Sequence, residues 1–196
     1  MKKIDLILAT IIGFLDGIFF FFILKNAEVT IPFSWVIPIA LAILCLAGMR
    51  FAYWIGEKIA ILLQAAKFFL VGTLNTFIDT GIRNILSFIF GIYTGIFYSF
   101  FKGISFIVAT TNSYFWNKYW TFEKREKPTS REFFKFLTMA FFGFLINVGV
   151  ASIVVNVIKP QFGLSEKIWS TFGDIAAAFS AFLWNFLASK FIVFKQ

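Results

Sequence analysis

Asn75, Asp79 and Arg83 stand four residues apart, so on a helix they share one face. They lie in a long apolar stretch. A charged side chain near a bilayer centre costs about 3 kcal/mol or more, so this stripe must face protein or a water-filled cavity. At about 1.5 Å per residue, Asp79 comes about 18 Å beyond Lys67, at or past the midplane of a span beginning there. Arg83 lies one turn nearer the outside. Two chemistries are open to the stripe: an internal Asp79–Arg83 ion pair that neutralises itself, or a polar groove in which Arg83 meets an anionic or sugar-bearing ligand. A second group of residues gathers at the ends of later segments: Asn112, Asn117 and Lys118, then Asn185 and Lys190. Tyr119, Trp120 and Phe122 beside Lys118 read as an interfacial aromatic belt with a snorkelling lysine. The amides need partners inside hydrocarbon. Cross-helix hydrogen bonds would supply them. The sharper alternative is that Asn117 and Lys118 hold a phosphate or sugar at the cytoplasmic face. Asp16 and Asp174 are two further intramembrane acids, each a possible proton site or a partner for Arg50, Lys102 or Arg83.

The composition sets the solvent. Of 196 residues, 60% are hydrophobic, above the half or so usual in soluble domains, so the chain reads as an integral membrane protein. It has no His and a single cysteine, Cys45, which removes His- or Cys-based metal sites, nucleophilic triads and internal disulfides. There is no phosphate-binding glycine-rich loop and no soluble segment to hold a nucleotide-sugar. No catalytic residue, metal or cofactor is therefore expected. The net charge of +8 is read as cytoplasmic loops, not as nucleic-acid binding. The 31 Phe are taken as lipid-facing bulk.

The elements that must position these residues follow in order. After Lys2 and Lys3 comes an apolar run, Ile4 to Leu24, long enough to span a bilayer and read as a retained helix. Lys25, Asn26, Glu28 and Pro32 make the first loop, and Phe33 to Tyr53 the second span. Arg50 to Lys67 reads as a continuation of that helix into the interface or a short amphipathic helix lying on it. Spans three to six are expected over about 67–90, 97–122, 133–158 and 168–194. Gly91, Tyr93 and Gly95 form one turn, and Glu123 to Glu132 a solvated loop. Twelve Lys and Arg collect at one side of these spans and four (Lys25, Lys102, Lys159, Lys167) at the other, which places both termini in the cytoplasm and requires an even number of crossings, about six.

The last four segments repeat. Lys67-Phe68 returns as Lys135-Phe136, Asp79 and Gly81 as Asn147 and Gly149, and Trp116-Asn117 as Trp184-Asn185, always 68 residues later (135 − 67). The chain is thus divided into an N-terminal hairpin with its interfacial segment, 1–66, and a four-helix domain, 67–196, built of helical hairpins 67–122 and 135–194. Two spans per copy give both copies the same orientation. The copies differ in charge: Asn75, Asp79 and Arg83 meet Gly143, Asn147 and Ala151. One off-axis site is expected instead of a symmetric pore. The endings differ too, with 5 residues from Asn117 to Phe122 and 9 from Asn185 to Phe194.

The run from Lys67 through Gly72 and Asn75 to Asp79 resembles the opening helix of the GtrA-like family. Asn112-Ser113-Tyr114-Phe115-Trp116-Asn117-Lys118-Tyr119-Trp120-Thr121-Phe122 resembles its second-helix ending, and Trp184-Asn185 with Lys190 and Val193-Phe194 its closing motif. The resemblance covers about 67–196. It implies four helices in two pairs and, for the family's namesake, movement of a polyprenyl-phosphate-linked sugar to the outer leaflet for cell-surface polysaccharide or teichoic acid decoration. Related modules occur beside polyprenyl-phosphate glycosyltransferases. The first 66 residues depart from the family pattern.

Three functions are weighed. The first is flipping of a polyprenyl-phosphate monosaccharide across the cell membrane, with Lys118 and Asn117 taking the phosphate and Asn75, Asp79 and Arg83, with Asn112, Asn147, Asn185 and Lys190, lining the headgroup path. The second is a non-transporting subunit that anchors a membrane glycosyltransferase through the Glu123–Glu132 loop or the N-terminal hairpin. The third is a small-cation or drug exporter using Asp16, Asp79 or Asp174. A bundle this small also suits a homodimer.

Overall fold

The computed structural model describes residues 1–26 and 31–195, and every regular element among them is helical. The helices are α1 (Lys3–Asn26), α2 (Ile37–Gly56), α3 (Ala60–Phe90), α4 (Gly95–Trp116), α5 (Ser130–Ser152) and α6 (Glu166–Ala188). The last three each run on into a π-helical segment: Asn117–Thr121, Ile153–Ile158 and Ser189–Val193. Such segments are rare and are often tied to functional positions. The chain is an all-α membrane protein. Five stretches are long and apolar enough to cross a bilayer: Lys3–Phe22, Ser34–Gly56, Ala60–Phe90, Ser130–Ile158 and Glu166–Val193. α4 falls outside this set, because Ser99, Lys102, Ser105, Thr110, Thr111, Asn112 and Ser113 dilute its apolar character.

Two compact units form, Met1–Glu123 and Lys124–Gln196. In the first, α1 meets α2 through Gly13 and Gly17, spaced four apart. A Cβ on Gly13 would stand 2.6 Å from the Leu41 carbonyl oxygen and 2.8 Å from Cys45 Cβ, while one on Gly17 would collide with the Pro38 backbone. In lipid such close backbone approach is itself a main source of helix association. α1 and α2 also pack on α3. Ala9, Ile12, Met49, Leu70, Val71, Leu74 and Trp120 make one buried cluster drawn from α1, α2, α3 and the π segment after α4.

Two expectations about the early chain are corrected. Lys25 and Asn26 close α1 and do not belong to a loop, and Glu28 lies outside the described residues. Of the two readings of the stretch between Arg50 and Lys67, the separate interfacial helix does not form, and the continuation of the second helix reaches three residues past Tyr53. α2 stops at Gly56, the chain turns through Glu57–Ile59, and α3 begins at Ala60. The turn is tight because Gly56 allows it: a Cβ there would come 3.0 Å from that of Leu63. α3 ends on Gly91 at φ 67°, with the Ile92 amide donating to the Ser87 carbonyl at 3.1 Å, the usual left-handed glycine cap.

In the second unit α5 starts with a capping sequence, Thr129-Ser130-Arg131-Glu132, whose threonine hydroxyl accepts from the Glu132 amide at 3.2 Å. α5 and α6 are tied by indole donors. Trp184 Nε1 donates to the Met139 carbonyl at 3.0 Å and Trp169 Nε1 to the Val154 carbonyl at 2.9 Å. Gly143 and Gly173 lie at the contact, facing Asn185 and Val155 respectively.

The ends of α4 and α6 share one closure. Phe122 N–H donates to the Asn117 carbonyl and Phe194 N–H to the Ser189 carbonyl, both at 2.8 Å. The Phe122 ring lies 6.3 Å from Phe68, and the Phe194 ring 6.0 Å from Phe136. Lys118 and Lys190 are each second in their π segment. The residue standing where Asn117 stands is therefore Ser189. Asn185 sits four residues earlier, because the second ending contains one extra helical turn.

Candidate functional site

α3 and α4 run antiparallel, so residues rising along one meet residues falling along the other. Asn112 Nδ2 donates to Asn75 Oδ1 at 2.9 Å, and Asn75 Nδ2 donates to its own helix at the Val71 carbonyl, 2.6 Å away. One turn on, Asp79 accepts from Lys102 Nζ and, at 2.5 Å, from the Ser105 hydroxyl. One turn further, the Arg83 guanidinium lies 5.3 Å from the Tyr98 ring centroid, a cation–π distance. The three residues of the α3 stripe thus each meet α4, in order. The internal Asp79–Arg83 pair does not form. Lys102 and Ser105 take the carboxylate, and Arg83 joins no ion pair among the described residues.

Asn117 and Lys118 are placed differently from a surface phosphate clamp. Asn117 Nδ2 donates to the Ser113 carbonyl at 2.9 Å and its Oδ1 accepts from the Thr121 hydroxyl at 3.0 Å, so this amide is used up in closing the π segment. Lys118 is 0% exposed, its ammonium 5.9 Å from the Tyr114 ring centroid. A phosphate in the aqueous layer cannot reach it in this arrangement. Lys190 is half-buried.

Of the remaining expected residues, Asn185 lies against Gly143 between α5 and α6, with its Oδ1 buried and lacking a hydrogen-bond partner. Asn147 is half-buried on α5, and Asp174 is exposed on α6 and joins no ion pair among the described residues. Asp16 is buried beside a cavity among α1, α2 and α3. No three His, Cys, Asp or Glu side chains gather to hold a metal ion among the described residues.

A second polar cluster closes the other end of the first unit, and no spacing in the sequence singles it out. Lys67 Nζ pairs with Asp5 at 2.6 Å, the two residues being 3% and 1% exposed. Asp5 also accepts from the Tyr53 hydroxyl and, at 2.8 Å, from Trp120 Nε1. Lys67 lies 5.8 Å from the Trp120 ring centroid and 3.4 Å from Glu123, which in turn pairs with Lys2 at 2.5 Å. The hydrogen bond from Lys2 holds the Glu123 carboxyl below its ordinary range; desolvation opposes this, and the Lys67 charge adds to the lowering. Asp5 is hard to find in the sequence, since next to Lys2 and Lys3 it looks like an ordinary first-turn acid at a helix N-terminus.

Apolar helices packed through glycines, carrying a polar ladder within one helix pair, define a multi-pass helical membrane protein. Over residues 67–194, more than half its length, the chain matches the model for the GtrA/DPMS transmembrane domain, and it belongs to that family. The family is linked to polyprenyl-phosphate sugar flipping or transfer and is in general non-catalytic and flippase-like. Comparison with curated proteins and with solved structures gives no match.

Proposed function

We propose that the chain flips a polyprenyl-phosphate-linked monosaccharide from the cytoplasmic to the outer leaflet of the cell membrane, for glycosylation of surface polysaccharide or teichoic acid. The observation that carries this reading is the charge balance of the α3–α4 ladder. Asp79 is matched by Lys102, so Arg83 contributes one surplus positive charge to a ladder whose amides, Asn75 and Asn112, lie two turns away along α3. A lipid-linked sugar phosphodiester carries one negative charge and several hydroxyls, while its tail can remain in lipid. Arginine suits phosphate by its forked donors. The role first given to Lys118 and Asn117 passes to Arg83, with Lys118 engaged only if the π segment opens. In this reading both termini are cytoplasmic, α4 crosses the membrane with its polar face turned to α3, and the two helical hairpins share an orientation.

The test is leaflet-resolved accessibility of a polyprenyl-phosphate sugar in proteoliposomes, comparing the native chain with Arg83→Ala. Movement by the native chain that is lost in a folded Arg83→Ala supports flipping along α3. No movement in either shifts the reading to the non-transporting subunit. The Glu123–Glu132 loop or the N-terminal hairpin would then be its docking element, and loss of co-purification with a membrane glycosyltransferase on charge reversal in that loop would establish the loop.

A further inference from the structure

Three acids occupy the helices of the first unit, and two of them carry a lysine: Asp5 holds Lys67 and Asp79 holds Lys102. Asp16 is the exception. It is 5% exposed, joins no ion pair among the described residues, and its Oδ1 has no hydrogen-bond partner. It lines an open-sided cavity of about 540 Å³ among α1, α2 and α3, together with Phe20, Ala40, Cys45, Thr73 and Phe77. No other charged side chain lines it. The volume falls in the range of small-molecule sites, which are apolar with a few placed polar groups. Most of the wall comes from α1 and α2, outside the family-matched residues, with Phe69, Leu70, Thr73 and Phe77 added by α3, and no residue of the α3–α4 ladder lines it.

We propose that this cavity binds a lipophilic monovalent cation, a single positive centre carried on an apolar body, with Asp16 as its counter-ion. The apolar wall takes the body and the unmatched carboxyl takes the charge. The occupant supplies from outside the chain what Lys67 and Lys102 supply to Asp5 and Asp79 from within it. A carboxylate inside the membrane is stable only when paired or hydrated, and the cavity offers it one hydroxyl, that of Thr73, and no cation.

The experiment uses the full chain in nanodiscs and radiolabelled tetraphenylphosphonium as the probe. Saturable binding is expected. It should weaken at least about tenfold in Asp16→Asn, survive in Asp16→Glu, and weaken also in Ala40→Phe, which fills the cavity while leaving the carboxyl intact. Neutral triphenylphosphine oxide should not compete. Cys45, the chain's only cysteine, should react several-fold more slowly with N-ethylmaleimide when the phosphonium is bound. Absence of saturable binding overturns the proposal, as does equal binding by folded Asp16→Asn. Equal competition by the neutral compound overturns it too and makes the cavity a plain acyl-chain pocket. If Asp16→Asn does not fold, unchanged binding in Ala40→Phe decides against it.

Discussion

Lys67 and Asp5 face each other at 2.6 Å across α3 and α1, both almost wholly withdrawn from solvent. Removing one partner of such a pair strands the other, which costs about 3–5 kcal/mol, whereas replacing both by apolar residues is often tolerated. Asp5→Leu alone is therefore expected to lose stability on that scale. Asp5→Leu combined with Lys67→Met should cost much less than the sum of the single changes. Thermal unfolding in detergent, followed by tryptophan fluorescence, measures all four corners of the cycle, and Trp120 sits on the Asp5 carboxylate as a local reporter. Additive losses would refute the coupling.

Glu123 gives a pH prediction. Its carboxyl is held below its ordinary value of 4.5, chiefly by the hydrogen bond from Lys2. A lowered carboxyl pKa contributes stability that is complete above 4.5 and disappears as pH falls through the folded value. The side chain is half exposed, at 49%, so the contribution stays within about 1 kcal/mol. Glu123→Gln should lower the melting temperature slightly at neutral pH and remove part of the acid limb below pH 4.5. An unchanged acid limb in melting scans would show that the pair contributes nothing.

Gly143 is expected to resist enlargement. A Cβ there would overlap the Asn185 amide, whose Cγ would be only 2.6 Å away. Overpacking of this kind typically costs about 1–3 kcal/mol. Gly143→Ala should therefore destabilise the α5–α6 hairpin, and adding Asn185→Ala should restore most of the loss. Melting of the single and double variants decides it.

Lys102 guards the freedom of Arg83. With Lys102→Gln, Asp79 keeps only the Ser105 hydroxyl, and Arg83, one turn along the same helix, becomes its nearest possible cation. The guanidinium would then be tied to a carboxylate. On the proposed flipping function, movement by Lys102→Gln should fall toward the level of Arg83→Ala although Arg83 is intact, while Lys102→Arg should retain it. The same leaflet-accessibility assay reads this. Full activity in Lys102→Gln would separate Lys102 from the path.

The α3 stripe was legible because its residues are local. Asn75, Asp79 and Arg83 share a face by helical spacing alone. Their partners were not, because Asn112, Ser105, Lys102 and Tyr98 are brought opposite by the antiparallel return of α4, a long-range matter that spacing within α3 does not contain. By the same limit the sequence leaves an Asp79–Arg83 pair open, whereas in the fold Lys102 holds the carboxylate. Lys118 read as an interfacial lysine because Tyr119 and Trp120 surround it in sequence. A π segment has a different angular step from an α-helix, and it draws Lys118 inward. Asp5 was missed for the opposite reason: it looked too ordinary among N-terminal charges, and only the packing of α1 on α3 gives it Lys67, Tyr53 and Trp120.

α3 has a consequence for the membrane itself. Its 31 residues, at about 1.5 Å each, make a rod about 46 Å long. A hydrocarbon layer of about 30 Å could swallow that length only at a tilt of about 50°, beyond the usual 0–40°. Part of α3 must therefore stand in the headgroup layer, and the exposed Lys2–Glu123 pair beside Lys67 marks its N-terminal end as that part. The lipid around the first unit meets a helix that outgrows it, so bilayer thickness becomes a control on how far the Lys67 end projects. Thicker bilayers would draw more of that end into hydrocarbon, and thinner ones would leave it further out among the phosphates.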